Sequence, residues 1–133
     1  MEKKVLEFVD SIKYDEKGLV TVVTQDIVDG IVLMVAYANK ESLLKTFATG
    51  MMHYYSRSRK KIWLKGEESG NIQKVKELYF DCDNDCLLVK VEQVGRASCH
   101  TGYRSCFYRK VMSDGEIKVV GEKIFDPEKV YKK

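Results

Sequence analysis

No apolar run in this chain approaches the roughly 20 residues that a helix needs to cross a bilayer. A helical membrane span is therefore excluded. The chain opens Met1-Glu2-Lys3-Lys4-Val5, with an acidic residue and no extended apolar core, so no secretory signal is expected and a cytoplasmic location follows. Net charge is small: 23 basic against 20 acidic residues leave +3, too little to mark a nucleic-acid binder by electrostatics alone. Internal repeats, low-complexity tracts and linker-like stretches are absent, so residues 1–133 are expected to form one domain. Paired Cys-x-x-Cys motifs are also missing, which argues against a zinc ribbon.

What is present reads as a folded globular domain, 44% apolar and 32% charged. A domain of this size buries roughly two-thirds of its unfolded surface, enough for a core without covalent staples. Val5, Phe8, Val9 and Ile12 recur at helical spacing and predict a short opening helix. Lys17-Gly18 predicts a turn, and residues 19–24 a β-branched strand. Asp29-Gly30 is a hairpin signal leading into the apolar run 31–37, whose lack of alternation predicts a strand covered on both faces. Asn39 suits the N-cap of a helix over 40–48, with Gly50 placed to stop it. Further strands are predicted at 53–56, 74–80 and 87–94, with a hairpin formed by 106–112 and 116–120. A terminal helix is expected near Pro127. The expected class is α+β: a mostly antiparallel sheet with two or three short helices.

The chemistry concentrates between residues 81 and 106. Asp81-Cys82-Asp83-Asn84-Asp85-Cys86, then Cys99-His100-Thr101-Gly102, then Cys106 contain all four cysteines, one of two histidines and three close aspartates. Thiolates are soft ligands suited to zinc, and carboxylates are hard ligands suited to magnesium, calcium or manganese. In an extended segment Asp81, Asp83 and Asp85 share one face and Cys82 points to the other, which would place a hard and a soft site on opposite sides of one strand. An EF-hand is excluded although Asp81, Asp83, Asp85 and Glu92 fall at positions one, three, five and twelve. Its turn requires glycine at position six, which is Cys86 here. The alternative for the aspartates is a solvated acidic turn. In a cytosolic chain, metal binding or catalysis is a better reading of the cysteines than disulfides. Cys82, Cys99 and Cys106 are the candidate zinc ligands, and Cys86, opening an apolar strand, reads as a small buried hydrophobe. His100 is either a general acid/base beside a metal-activated water or a structural histidine. His53 is structural or substrate-lining.

Residues 56–66 combine Arg57, Arg59, Ser56 and Ser58 with Trp63. This is the composition of a phosphate cradle with an aromatic stacking surface, or of a solvated charged face. Ser69-Gly70 offers amides suited to an anion but lacks P-loop spacing.

Taken together, five segments resemble the phosphoribosyl-AMP cyclohydrolase family. They are residues 32–39, His53-Tyr54-Tyr55-Ser56-Arg57-Ser58-Arg59, Trp63-Leu64-Lys65-Gly66-Glu67-Glu68-Ser69-Gly70-Asn71-Ile72-Gln73, Asp81-Cys82-Asp83-Asn84-Asp85, and Cys99-His100-Thr101-Gly102-Tyr103-Arg104-Ser105-Cys106-Phe107. The resemblance implies an enzyme of histidine biosynthesis that opens the adenine ring at N1–C6 with a zinc-activated water, in an intertwined homodimer. It implies zinc on Cys82 of one subunit and on Cys99 and Cys106 of the other, and magnesium on Asp81, Asp83 and Asp85. His100 becomes the candidate proton shuttle, and Arg57, Arg59, Ser69 and Trp63 the candidate substrate contacts. Ala38 and Glu68 stand where the family more often has methionine and threonine. About twenty residues follow the last motif, too few for the pyrophosphohydrolase domain to which many relatives are fused, so a separate enzyme is expected to supply the substrate.

A rival reading is a zinc-stabilised nucleic-acid-binding module that stacks bases on Tyr54, Tyr55 and Trp63. It leaves three aspartates unexplained, and they would repel phosphate. No nucleic-acid or membrane partner is therefore expected.

Overall fold

The computed structural model describes residues 2–124. Helix α1 spans Lys3–Ser11, strand β1 Val20–Asp26, β2 Val32–Ala38, α2 Lys40–Thr49, β3 His53–Ser56, β4 Lys61–Leu64, β5 Gln73–Phe80, β6 Cys86–Gln93, β7 Arg109–Val111 and β8 Ile117–Val119. The helix predicted near Pro127 lies outside the described residues. No helix among those described is long and apolar enough to cross a membrane.

Four strands form the main sheet in the order β2-β1-β6-β5. β1 pairs antiparallel with β2 and parallel with β6, and β6 pairs antiparallel with β5. β3–β4 and β7–β8 form separate two-stranded hairpins. The α+β class with a mostly antiparallel sheet is thus what the chain adopts.

Local chemistry explains the boundaries. The Asn39 carboxamide accepts from the Ser42 amide while the Ser42 hydroxyl accepts from the Asn39 amide, so two orphan donors at the start of α2 are satisfied reciprocally. Gly50 ends the helix with φ of 76°, a left-handed conformation that a side chain resists. α1 buries Val9 in the core, joined there by Ile12 just past its end, and meets α2 through an edge-on Phe8–Phe47 contact. Val22, Leu33, Leu43, Met52, Tyr54, Leu87, Val89 and Val91 are fully enclosed, so the core lies between the sheet and the helices. Within it runs a polar chain in which Tyr54 Oη contacts Thr24 Oγ1 and donates to Gln73 Oε1, and Gln73 Nε2 donates to Gln93 Oε1.

Three expectations need correction. β2 is not covered on both faces, because Val35 is 45% exposed and faces open space beside the β3–β4 hairpin. The strand predictions omit β4: after a turn at residues 57–60, the basic run returns as Lys61–Leu64 with Trp63 opposite the buried Tyr54. The acidic segment is not extended. The Asn84 amide donates to the Asp81 carbonyl, and Asn84 takes a left-handed φ of 61°, so residues 81–85 fold into the β5–β6 turn. Alternation across a strand therefore does not apply to Cys82 and its aspartate neighbours.

Candidate active site

Residues of β2, of the β3–β4 hairpin with the loop that follows it, and of the loop after β6 line one cavity of about 450 Å³. The β3–β4 hairpin contributes Arg59, Trp63 and Lys65, the loop after β4 contributes Glu67, Glu68 and Ser69, and the loop after β6 contributes Ser98, His100 and Cys106; Met34 and Val35 of β2 complete the wall. The loop after β4 turns sharply at Gly66, where a Cβ would lie 2.4 Å from the Ile72 nitrogen. Its fold is closed by the Gly70 amide donating to the Gly66 carbonyl and the Asn71 amide donating to Ser69 Oγ.

The loop carrying the thiols is pinned at both ends. The Cys106 amide donates to the Leu33 carbonyl at 2.7 Å and Ser105 Oγ donates to the Val32 carbonyl, fixing Cys106 against β2. Between the two cysteines, Arg104 reaches back to the β1–β2 turn and pairs with Asp26 at 3.1 Å and Asp29 at 2.6 Å. Cys99 is buried, and its Sγ lies 2.8 Å from Thr101 Oγ1. Cys106 is an exposed residue, yet enough of the fold surrounds its sulfur that burial is the first cause pushing its thiol up to about 12. The neighbouring Cys99 adds to the rise, and Lys65 and the Ser98 hydroxyl oppose it. The two sulfurs thus stand side by side, with a cation and a hydroxyl against them.

The acidic turn lies at the other end of β6. Asp81 Oδ1 accepts from the amides of Asp85 and Cys86. Burial resists its charge, but those amides and the Asp85 carboxyl outweigh it and lower its pKa. Asp85 is pushed up, chiefly by its hydrogen bond to Asp81 and then by that neighbour's charge. Asp83 and Asp85 edge a second cavity, with Lys13, Tyr14 and Thr21. Among the described residues, no three His, Cys, Asp or Glu side chains of this one chain converge into a cluster able to hold a metal. For the thiols the reason is geometric. β6 has eight residues; at about 3.3 Å each they separate Cys82 from Cys99 by roughly 25 Å. Sulfurs sharing one zinc stand only about 4 Å apart.

Comparison with known proteins decides the family. The model of the phosphoribosyl-AMP cyclohydrolase family matches residues 34–108. A phosphoribosyl-AMP cyclohydrolase of Pelotomaculum thermopropionicum is 60% identical over 124 residues, covering 93% of this chain and 95% of the relative. One from Methanoregula boonei is 60% identical over 122 residues (92% and 95%), and one from an Azoarcus species 50% over 125 residues (94% and 95%). The chain belongs to the phosphoribosyl-AMP cyclohydrolase family. It is accordingly an enzyme, of the hydrolase class.

The segment that matches the cyclohydrolase family contains every candidate site residue, and the structure sorts them into two places. Arg59, Trp63, Ser69, His100 and Cys106 line the first cavity, with Cys99 buried beside Cys106. Arg57 is not among the lining residues; its guanidinium stacks over the Tyr37 ring at 4.1 Å. Asp81, Cys82, Asp83 and Asp85 sit in the distant turn. His53 is structural, its Nδ1 bonded to the Met51 carbonyl at 2.9 Å. Cys86 is half-buried at the start of β6.

Sequence reasoning about the cyclohydrolase motifs overlooked Lys65, Ser98, Glu67 and Met34 as cavity residues. Lys65 sits in a run of basic residues and looks solvated, yet it is only 5% exposed. Burial is the first influence lowering its pKa, opposed by the two thiols. The one available signal was its place immediately before Gly66, where a sharp turn holds a strand end against the next loop.

Proposed function

We propose that this chain hydrolyses the N1–C6 bond of the adenine ring in phosphoribosyl-AMP, giving the ring-opened formimino aminoimidazole carboxamide ribonucleotide of histidine biosynthesis. The observation that carries this reading is the single cavity in which a guanidinium, an indole, an anion-suited loop, an imidazole and a thiol meet. Those are the groups that a phosphorylated purine and a hydrolytic step require.

The donor sets fit the two metals that the family implies. Cys99 and Cys106 supply half of a soft site. Among the described residues the buried Ser98 hydroxyl has no hydrogen-bond partner, as suits a donor placed for a thiolate. A second copy of the chain offering Cys82 would complete the set, which is the support for a homodimer with shared sites. The acidic turn supplies hard oxygen donors to magnesium from Asp81, Asp83 and Asp85. Zinc held by the three thiolates supplies a Lewis acid that brings the pKa of a coordinated water toward neutrality.

The remaining work falls to the chain. Arg59 and the amides of the Ser69 loop take phosphate oxygens, and the Trp63 indole offers a flat face to the purine, so the reacting carbon is held in register beside the thiols. Water adds its oxygen to C6, and His100, on the cavity wall, passes a proton released from it to N1 as the N1–C6 bond breaks, leaving C6 as the carboxamide carbon with the exocyclic nitrogen in place. Val35 and Met34 close the wall with apolar surface.

The test is direct. Purified protein of known metal content is incubated with phosphoribosyl-AMP, and the product is identified by mass and by loss of the intact purine chromophore. A metal-replete protein that leaves the substrate unchanged contradicts the proposal. A salt-sensitive shift of oligonucleotides without turnover would favour the nucleic-acid reading.

A further inference from the structure

An ammonium group buried in a protein is expensive, and a methionine of similar volume would fill the position of Lys65 without that cost. The chain nevertheless keeps a lysine there, 5% exposed, at the end of β4. Its backbone is rigidly placed, because the Lys65 amide donates to the Met52 carbonyl at 3.1 Å and the chain turns at Gly66 immediately after it. Its Nζ lies 5.7 Å from the centre of the Trp63 ring and donates to the Ser98 carbonyl. No acidic residue forms an ion pair with it among the described residues. Lys65 instead lines the same cavity as Ser98 and Cys106.

A second observation concerns the residue it holds. Ser98 is 2% exposed, and its hydroxyl is the one buried side-chain polar atom among the described residues without a hydrogen-bond partner. Such orphans are rare because each costs free energy. Ser98 immediately precedes Cys99 and lines the same cavity as Lys65 and Cys106. Two features unfavourable for folding, a buried cation and a buried unpaired hydroxyl, therefore occupy the cavity wall that carries the thiols.

We propose that Lys65 and Ser98 form an outer cradle for the metal-binding thiolates, with Lys65 as the positioning residue. It holds the Ser98 carbonyl so that Cys99 stands beside Cys106, and its ammonium together with the Ser98 hydroxyl faces the sulfurs as donors. This rests on the zinc reading above. Neither residue touches the substrate in this role; both act through the cysteines. Groups that orient and hydrogen-bond a metal's ligands typically change its affinity by about 10–100-fold when removed.

The experiment compares zinc affinity, by competition with a chromophoric chelator, for the full chain carrying Lys65→Met or Ser98→Ala, with the melting temperature of each chelator-stripped protein measured alongside. The cradle predicts that zinc binding weakens by about tenfold or more in Lys65→Met and severalfold in Ser98→Ala, while the stripped proteins melt no lower than the unmodified chain. That inverse pattern is one that a packing role does not produce. Zinc held within about twofold of the unmodified chain in both variants overturns the inference and leaves the zinc reading intact. An unmodified chain that takes up no zinc overturns the zinc reading itself and the cradle with it. If Lys65→Met does not fold, Ser98→Ala carries the test alone. A lowered melting temperature with unchanged zinc affinity there also overturns the cradle.

Discussion

Replacing Gln73 by leucine should cost more than its position outside the cavity suggests. Gln73 is fully buried, accepts from Tyr54 Oη at 2.5 Å, and donates to Gln93 Oε1 at 2.8 Å and to Met34 Sδ at 3.4 Å. Leucine matches it in bulk but removes every polar contact. Tyr54 Oη keeps Thr24 alone, and Gln93 Oε1 loses its donor in a dry interior. Each stranded group costs about 1–3 kcal/mol, and the gain from an apolar side chain offsets part of that, so a net loss of about 3 kcal/mol is expected. Because Tyr54 and Gln73 share one hydrogen bond, Tyr54→Phe combined with Gln73→Leu should cost about 1 kcal/mol less than the two changes summed. Urea unfolding at one fixed protein concentration reads both quantities. The damage also reaches the cavity, since Gln73 holds the wall residue Met34 and Gln93 Nε2 donates to the carbonyls of Asn71 and Ile72 that end the Ser69 loop. KM for the nucleotide should therefore rise more than kcat falls. Gln73→Leu within about 0.5 kcal/mol of the unmodified chain, or strict additivity of the pair, would refute the reasoning.

Other consequences follow from single contacts. Gly66→Ala forces a Cβ to within 2.4 Å of the Ile72 nitrogen at a φ of +88°; it should destabilise the chain by about 2 kcal/mol or more and impair nucleotide binding, read by unfolding and by KM. The Asp29 carboxyl is held below the usual carboxylate range, first by the Ile31 amide and, against some burial, by Arg104. Its folded pKa lies below its unfolded one, so its stabilisation is present above about pH 4 and is lost as pH falls through the folded value. Asp29→Asn should lower the urea midpoint at neutral pH and converge with the unmodified chain in acid; a pH-independent gap contradicts the pairing. His100→Ala should lower kcat by about 10²-fold or more, whereas normal turnover ends its proton-transfer role.

Much of the fold was legible because local chemistry encodes it. Asn39 and Gly50 bracket α2, Asp29-Gly30 joins β1 to β2, and β-branched residues mark β1 and β6. The parallel pairing of β1 with β6 was not legible, since no local signal specifies a partner some sixty residues away. β4 was hidden by the charges on either side of Ile62-Trp63-Leu64. The acidic segment misled for a definite reason: alternating aspartates look extended, but Asn84 tolerates the left-handed conformation and Asp81 caps the resulting turn. At the site, residue types singled out Arg59, Trp63, Ser69, His100 and Cys106, which line one cavity. They could not reveal that Arg57 spends its guanidinium on Tyr37 or that Lys65 is internal, because both outcomes depend on tertiary packing.

The account's central claim is hydrolysis at a cavity whose thiol set draws on two chains. Cys82→Ala and Cys106→Ala proteins are each assayed with phosphoribosyl-AMP, then unfolded together, refolded as an equal mixture with zinc, and assayed again. Each variant alone should be inactive. The mixture should recover about one quarter of the unmodified activity, because half of the dimers are mixed and each of those rebuilds one intact site. Activity in either variant alone, or none in the mixture, contradicts the claim.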